Sequence, residues 1–127
     1  MNHRYLGLDW GTSTVGVALA VTPIAQPLGQ LPNNGNLQTA LQQLITDYEI
    51  THLVIGQINP EISRSWLNIA HQLPIEPSNI ITVDESFSTE EAWHKARDRH
   101  LTWQQFKPKE HSWSAAIILQ RHLDTLA

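Results

Sequence analysis

The feature that most restricts the fold is a pair of short apolar segments, Leu53-Val54-Ile55 and Ile80, Ile81 and Val83, each preceded by a segment of helical periodicity. A strand apolar on both faces must be covered on both faces, which is the environment of a parallel sheet sandwiched between helices. Leu37, Ala40, Leu41, Leu44, Ile45 and Tyr48 lead into the first run at spacings of three and four. Ile62, Trp66, Ile69, Ala70 and Leu73 separate the two runs and stop near Pro74. Upstream, Tyr5 to Leu8 meets Asp9, Gly11 and Thr12 interrupt, and Val15, Val17, Leu19 and Val21 then recur with a period of two, as in a hairpin. Gln26 to Leu31 adds a third short strand, which Pro27 restricts to a sheet edge.

Beyond the last apolar run, Ser88 and Glu91 have the spacing of a capping box and open a third helix. The segment from about His100 to Glu110 lacks apolar periodicity and reads as a mobile connection. Ala115, Ala116, Leu119, Leu123 and Leu126 then form a final helix. Three strands followed by alternating helices and strands imply an α/β fold, with the late strands parallel to the first and right-handed crossovers. The 127 residues suit a single domain, 1–127, that buries roughly two-thirds of its unfolded surface.

Composition removes several function classes. With no cysteine there are no disulfides, thiolate metal sites or cysteine nucleophiles, so a metal must be held by oxygen or imidazole. No apolar run approaches the ~20 residues of a spanning helix. Gly7, Asp9 and Gly11 interrupt any signal-like pattern at the N-terminus, so a soluble, cytoplasmic protein without membrane partners is expected. A net charge of -4 argues against wholesale coating of nucleic acid. Yet five of the eight cationic residues, Lys95, Arg97, Arg99, Lys107 and Lys109, fall in one short stretch with Trp103, which marks a candidate nucleic-acid-binding segment. The seven histidines show no metal-binding pair and read as surface residues.

Carboxylates stand where such a sheet does chemistry. Asp9 ends the first strand, and Asp84 and Glu85 end the last. The carboxyl ends of parallel strands form the binding crevice of open α/β sheets. Carboxylates that converge there suit Mg²⁺ or Mn²⁺, which stabilise attacking and leaving oxygens in phosphodiester displacement. The alternative is purely local: Asp9 caps a turn and Asp84 ends a strand. Trp10 offers either a base-stacking surface or a core side chain beneath the last helix, and packing is the favoured reading. Trp66 belongs to the apolar stripe of its helix.

Leu6-Gly7-Leu8-Asp9-Trp10-Gly11 with Gly16-Val17-Ala18 resembles the opening of the YqgF family, also called RuvX, a group related to Holliday-junction resolvases. Val54-Ile55-Gly56, Val83-Asp84-Glu85 with Ser88-Thr89 and Glu91-Ala92, and Ala115-Ala116 leading to Ile118-Leu119-Gln120 continue the resemblance in order. It implies a ribonuclease H-like domain with a mixed five-stranded sheet flanked by helices. The implied activity is that of a metal-dependent endonuclease acting on structured RNA or DNA, through Holliday-junction resolution or maturation of the 5′ end of precursor 16S ribosomal RNA. By the same resemblance Asp9 and Glu85 are the catalytic metal ligands. The third carboxylate falls on Ser112, with Glu110 and His111 just upstream. Arginines of the family become Thr14 and Ser86, and its Gly-Leu-Pro reads Gly56-Gln57-Ile58. A neutral Ser112 lowers the expected activity, which Ser112→Asp would raise, and Ser112 could equally cap the last helix. The alternative is a degenerate homologue that binds nucleic acid or protein without cutting. Asp9-Trp10-Gly11-Thr12-Ser13 also resembles the phosphate hairpin of the sugar-kinase and actin-like ATPases, but the chain has room for only one of their two lobes. Monomer and dimer are both compatible with the sequence.

Overall fold

The computed structural model describes residues 3–57, 60–86 and 88–126, without the side chains of 57, 60–63 and 65, so Ile58 and the Ile62 side chain lie outside the described residues. Strands β1 (Tyr5–Trp10), β2 (Thr14–Ala20), β3 (Gln26–Pro32), β4 (His52–Gln57) and β5 (Ile80–Asp84) form one sheet in the order β3-β2-β1-β4-β5. β1, β2 and β3 are antiparallel neighbours, whereas β4 runs parallel to β1 and β5 parallel to β4. β3 lies at the edge, as Pro27 requires. The helices are α1 (Leu37–Asp47), α2 (Pro60–Ala70), α3 (Ser88–Asp98), the short α4 (Trp103–Phe106) and α5 (Glu110–Asp124). None of the described helices is long and apolar enough to cross a membrane.

The two faces of the sheet carry different side-chain sizes because strand residues alternate. Leu6, Leu8 and Trp10 of β1, Val15 and Val17 of β2, and Leu53 and Ile55 of β4 join α1 and α2 in a bulky core that includes Trp66. The opposite face presents Gly7, Gly16, Ala18, Ala20, Val54 and Gly56, and α5 packs there through Ala115, Ile118 and Leu119. Trp10 is therefore a core residue, as favoured, but on the face away from the last helix, since it follows Asp9 by one strand position.

Three local expectations need correction. The Ile80–Val83 strand is not covered on both faces: it lies at the sheet edge, Ile80, Ile81 and Val83 are only partly buried and Thr82 is exposed, because nothing pairs beyond it among the described residues. The segment 100–110 is ordered by its own contacts. Thr102 and Gln105 cap α4 reciprocally, a 3-10 turn covers Lys107–Lys109, and Phe106 is fully buried among Ala92, Ala96, Trp113 and Ile117. Periodicity failed there because the elements are shorter than the window that periodicity needs, while Thr102-x-x-Gln105 was a usable signal. In α3, Glu91 does not close a box with Ser88. Its carboxylate accepts a hydrogen bond from Arg121 Nη2 at 2.7 Å.

Because Phe106 joins α3, α4 and α5, Phe106→Ala should cost about 3–5 kcal/mol, read as a lower urea midpoint at unchanged slope. Thr102→Ala should cost about 1 kcal/mol.

Candidate active site

Asp9 is the last but one residue of β1 and faces α5. Glu85 starts from the end of β5, two strands away, and β4 lies between them. It reaches inward because β4 carries Gly56 at the crossing point: a Cβ there would stand 2.6 Å from Glu85 Oε2 and 2.6 Å from Ile118 Cδ1. The Glu85 carboxyl thereby comes within hydrogen-bonding reach of Asp9. It is only 5% exposed, and its Oε2 has no hydrogen-bond partner among the described residues. Burial, then the Asp9 carboxylate beside it, push the Glu85 pKa up to about 8.

The turn that presents Glu85 is tied down from both sides. Asp84 Oδ1 accepts hydrogen bonds from Ser86 N (2.9 Å) and Ser86 Oγ (2.6 Å), and these bonds lower the Asp84 pKa. Arg121 of α5 donates to the carbonyls of Asp84 (2.8 Å) and Ser86 (2.7 Å). Asp84 ends β5, as the local reading expects, and also shapes the turn; it makes no hydrogen bond to Asp9 or Glu85 among the described residues. Sequence reasoning missed Arg121, because its role depends on α5 lying beside the end of β5.

The α5 residue that meets Asp9 is His111. Its Nδ1 lies 2.9 Å from Asp9 Oδ2, and this hydrogen bond is the first cause of a raised imidazole pKa. Ser112 points elsewhere: it is buried inside the first turn of α5, and its Oγ donates to the Lys109 carbonyl at 2.7 Å, so it neither caps the helix nor faces Asp9. Glu110 is held by Lys107 at 2.9 Å. His111 reaches Asp9 because the helix start rests on Gly16, the β2 partner of Asp9, where any Cβ would collide with the His111 backbone. Gln30 of β3 completes the arrangement, its Oε1 accepting the His111 N–H at 3.0 Å.

Among the described residues no three His, Asp or Glu side chains form a ready cluster around an ion. The Asp9–Glu85 pair nonetheless fits a divalent cation: two adjacent carboxylates, one with a buried and unpartnered oxygen, supply hard anionic donors whose mutual repulsion a cation relieves. The five cations of the 95–109 stretch differ in their partners. Arg97 contacts His94 Nδ1 at 2.7 Å, Lys107 pairs with Glu110, and Lys95, Arg99 and Lys109 make no ion pair among the described residues. Trp103 is half exposed, with Trp93 edge-on to it at 5.1 Å between ring centres.

A five-stranded mixed sheet with helices on both faces and an acidic pair at the strand ends is a ribonuclease H-like architecture. Thermus thermophilus RuvC, solved in complex with a Holliday junction substrate, has the same fold at a TM-score of 0.58 and 11% identity, over 98% of this chain and 96% of that chain. The family profile described as "RuvX: Holliday junction resolvase" matches residues 3–125, and the chain belongs to this family. A protein of Ruminiclostridium cellulolyticum named "Putative pre-16S rRNA nuclease" is 31% identical, over 98% of this chain and 96% of its own. A Bifidobacterium adolescentis protein of the same name is 30% identical, over 94% and 96%.

The raised Glu85 pKa sets a pH dependence. The folded state holds the Glu85 proton more tightly than the unfolded state, whose reference is 4.5, so stability declines as pH rises from about 4.5 to about 8 in metal-free buffer. Each pH unit in that window removes at most about 1.4 kcal/mol. The raised His111 pKa adds a loss of the same sign as pH rises through it. Thermal unfolding of Glu85→Gln should show a weaker decline than the parent and a higher Tm at pH 8. Gly56→Ala should displace the Glu85 carboxyl, costing about 1–3 kcal/mol through overpacking at low pH while flattening the same profile.

Proposed function

We propose that the protein is a metal-dependent endonuclease of structured nucleic acid in the cytoplasm, and that its substrate class is the precursor 16S ribosomal RNA named for its relatives. The observation that carries this reading is the buried carboxyl pair that Gly56 allows Glu85 and Asp9 to form. Asp9 and Glu85 would hold Mg²⁺ or Mn²⁺, which when bound supplies positive charge for the phosphoryl oxygens and favours ionisation of water. Glu85 holds a proton near neutral pH and gives it up as positive charge is taken in. His111 is oriented by its Nδ1 contact with Asp9 Oδ2. In that tautomer Nε2 carries the lone pair, so His111 is placed to take the proton of an attacking water, and Asp9 stabilises the resulting imidazolium.

This assignment moves the departure from the family pattern from Ser112 to His111. Ser112→Asp should disturb the Lys109 hydrogen bond and leave the metal-dependent rate no higher. Labelled four-way junctions and single-stranded ribosomal RNA precursors, incubated with Mg²⁺, Mn²⁺ or a chelator, provide the test. Cleavage should require metal, fall at least 100-fold in Asp9→Asn and in Glu85→Gln, and fall about 10²-fold or more in His111→Ala. Binding without cleavage under all these conditions would identify a non-cleaving nucleic-acid-binding homologue instead.

A further inference from the structure

Two crevices that share Pro27, Arg99 and Trp113 form one groove along the outer strand of the sheet. The larger part, about 560 Å³, lies between β3 on one side and the ends of α3 and α5 on the other. Its upper end is bounded by Gln30, Lys109 and Ser112, immediately beside His111, and the smaller part continues along α5 to Gln120. Lys95, Arg99 and Lys109 line the groove, and no carboxylate lines either part. Such a concentration of cations is opposite in sign to the net charge of -4. Arg97 and Lys107, from the same stretch of sequence, line neither part.

The walls are not uniformly charged. Ile24 is 60% exposed and Leu28 is 36% exposed, whereas Trp113 is buried in the floor of the groove with the Arg99 guanidinium over its ring, 5.5 Å from the centre. Cations beside exposed apolar side chains suit a chain that offers phosphates together with unstacked base faces. A duplex buries its base faces in the stack and would meet only the rim. We infer that the groove is a binding site for single-stranded nucleic acid that continues from the cleavage site, with phosphates set against Lys95, Arg99 and Lys109 and bases against the exposed side chains of Leu28 and Ile24. The direction of the strand rests on the nuclease reading. The groove itself rests on shape and charge.

Fluorescence anisotropy on the full chain in chelator, with labelled twelve-nucleotide oligo-U, oligo-dT and a twelve-base-pair duplex, tests this. Three phosphate contacts to a single strand give a slope of about -2 in log affinity against log salt. Lys95→Gln with Lys109→Gln, whose ammonium groups make no hydrogen bond or ion pair among the described residues, should weaken strand binding at least fivefold and reduce the slope to about -0.7. Arg97→Gln with Lys107→Gln should change affinity less than twofold. Comparison of oligo-U with oligo-dT separates an RNA site from a DNA site. No strand binding, tighter duplex binding, equal weakening by the two double variants, or binding of poly-glutamate in place of the oligonucleotides would overturn the proposal. The same variants with Mg²⁺ or Mn²⁺ distinguish the two claims. Groove-dependent strand binding without any cleavage removes the nuclease reading alone, whereas cleavage and binding indifferent to Lys95 and Lys109 remove the groove alone.

Discussion

The structure depends on the close approach of α5 to one face of the sheet. Small residues at Gly7, Gly16, Ala18, Ala20 and Gly56 leave that face shallow, while the bulky side chains of the same strands fill the opposite core. A larger side chain at Gly16 would hold the helix start away from β2, and His111 would no longer meet Asp9. Close packing here is geometry for chemistry as well as burial of apolar surface. Interiors packed at crystalline density transmit a displacement of one residue directly to its neighbours.

Against that scaffold the acidic pair is an unfavourable arrangement in the absence of positive charge. Burial and the adjacent Asp9 carboxylate both oppose ionisation of Glu85, and one of its oxygens has no partner among the described residues. The cost is borne by surrounding contacts: Arg121 binds the carbonyls on both sides of Glu85, Asp84 locks the turn through Ser86, and Ile118 packs beneath Gly56. Local conflict of this kind, held in place by well-satisfied neighbours, is characteristic of sites that bind charge.

Much of this was legible in the sequence. The period-two alternation of β2, the doubly apolar β4, and Pro27 at the edge of β3 were sufficient for the opening meander, the parallel late strands and the α/β class, while the order β3-β2-β1-β4-β5 came from the structure. Asp9 and Glu85 were identifiable as strand-end carboxylates, and the family resemblance agrees with the profile match. The Thr102–Gln105 cap escaped because short elements carry little periodic signal, and the family resemblance that points to Ser112 carries no information on which way each residue of the first helical turn faces. The helix begins at Glu110, and this start turns His111 toward Asp9 and Ser112 toward Lys109.

Sequence alone therefore determined what alternates: which strand residues share a face, that the Leu53–Ile55 run is buried on both sides, and which carboxylates sit at strand ends. These properties follow from backbone periods that every residue obeys locally. Tertiary structure alone decided which distant side chains meet: that Glu85 crosses β4 over Gly56, that Arg121 clamps its turn, and that only three of the five clustered cations face the groove beside β3. Such meetings depend on the distance and rotation between packed elements. Those are fixed by side-chain volumes from remote parts of the chain acting together, and no local window of sequence contains them.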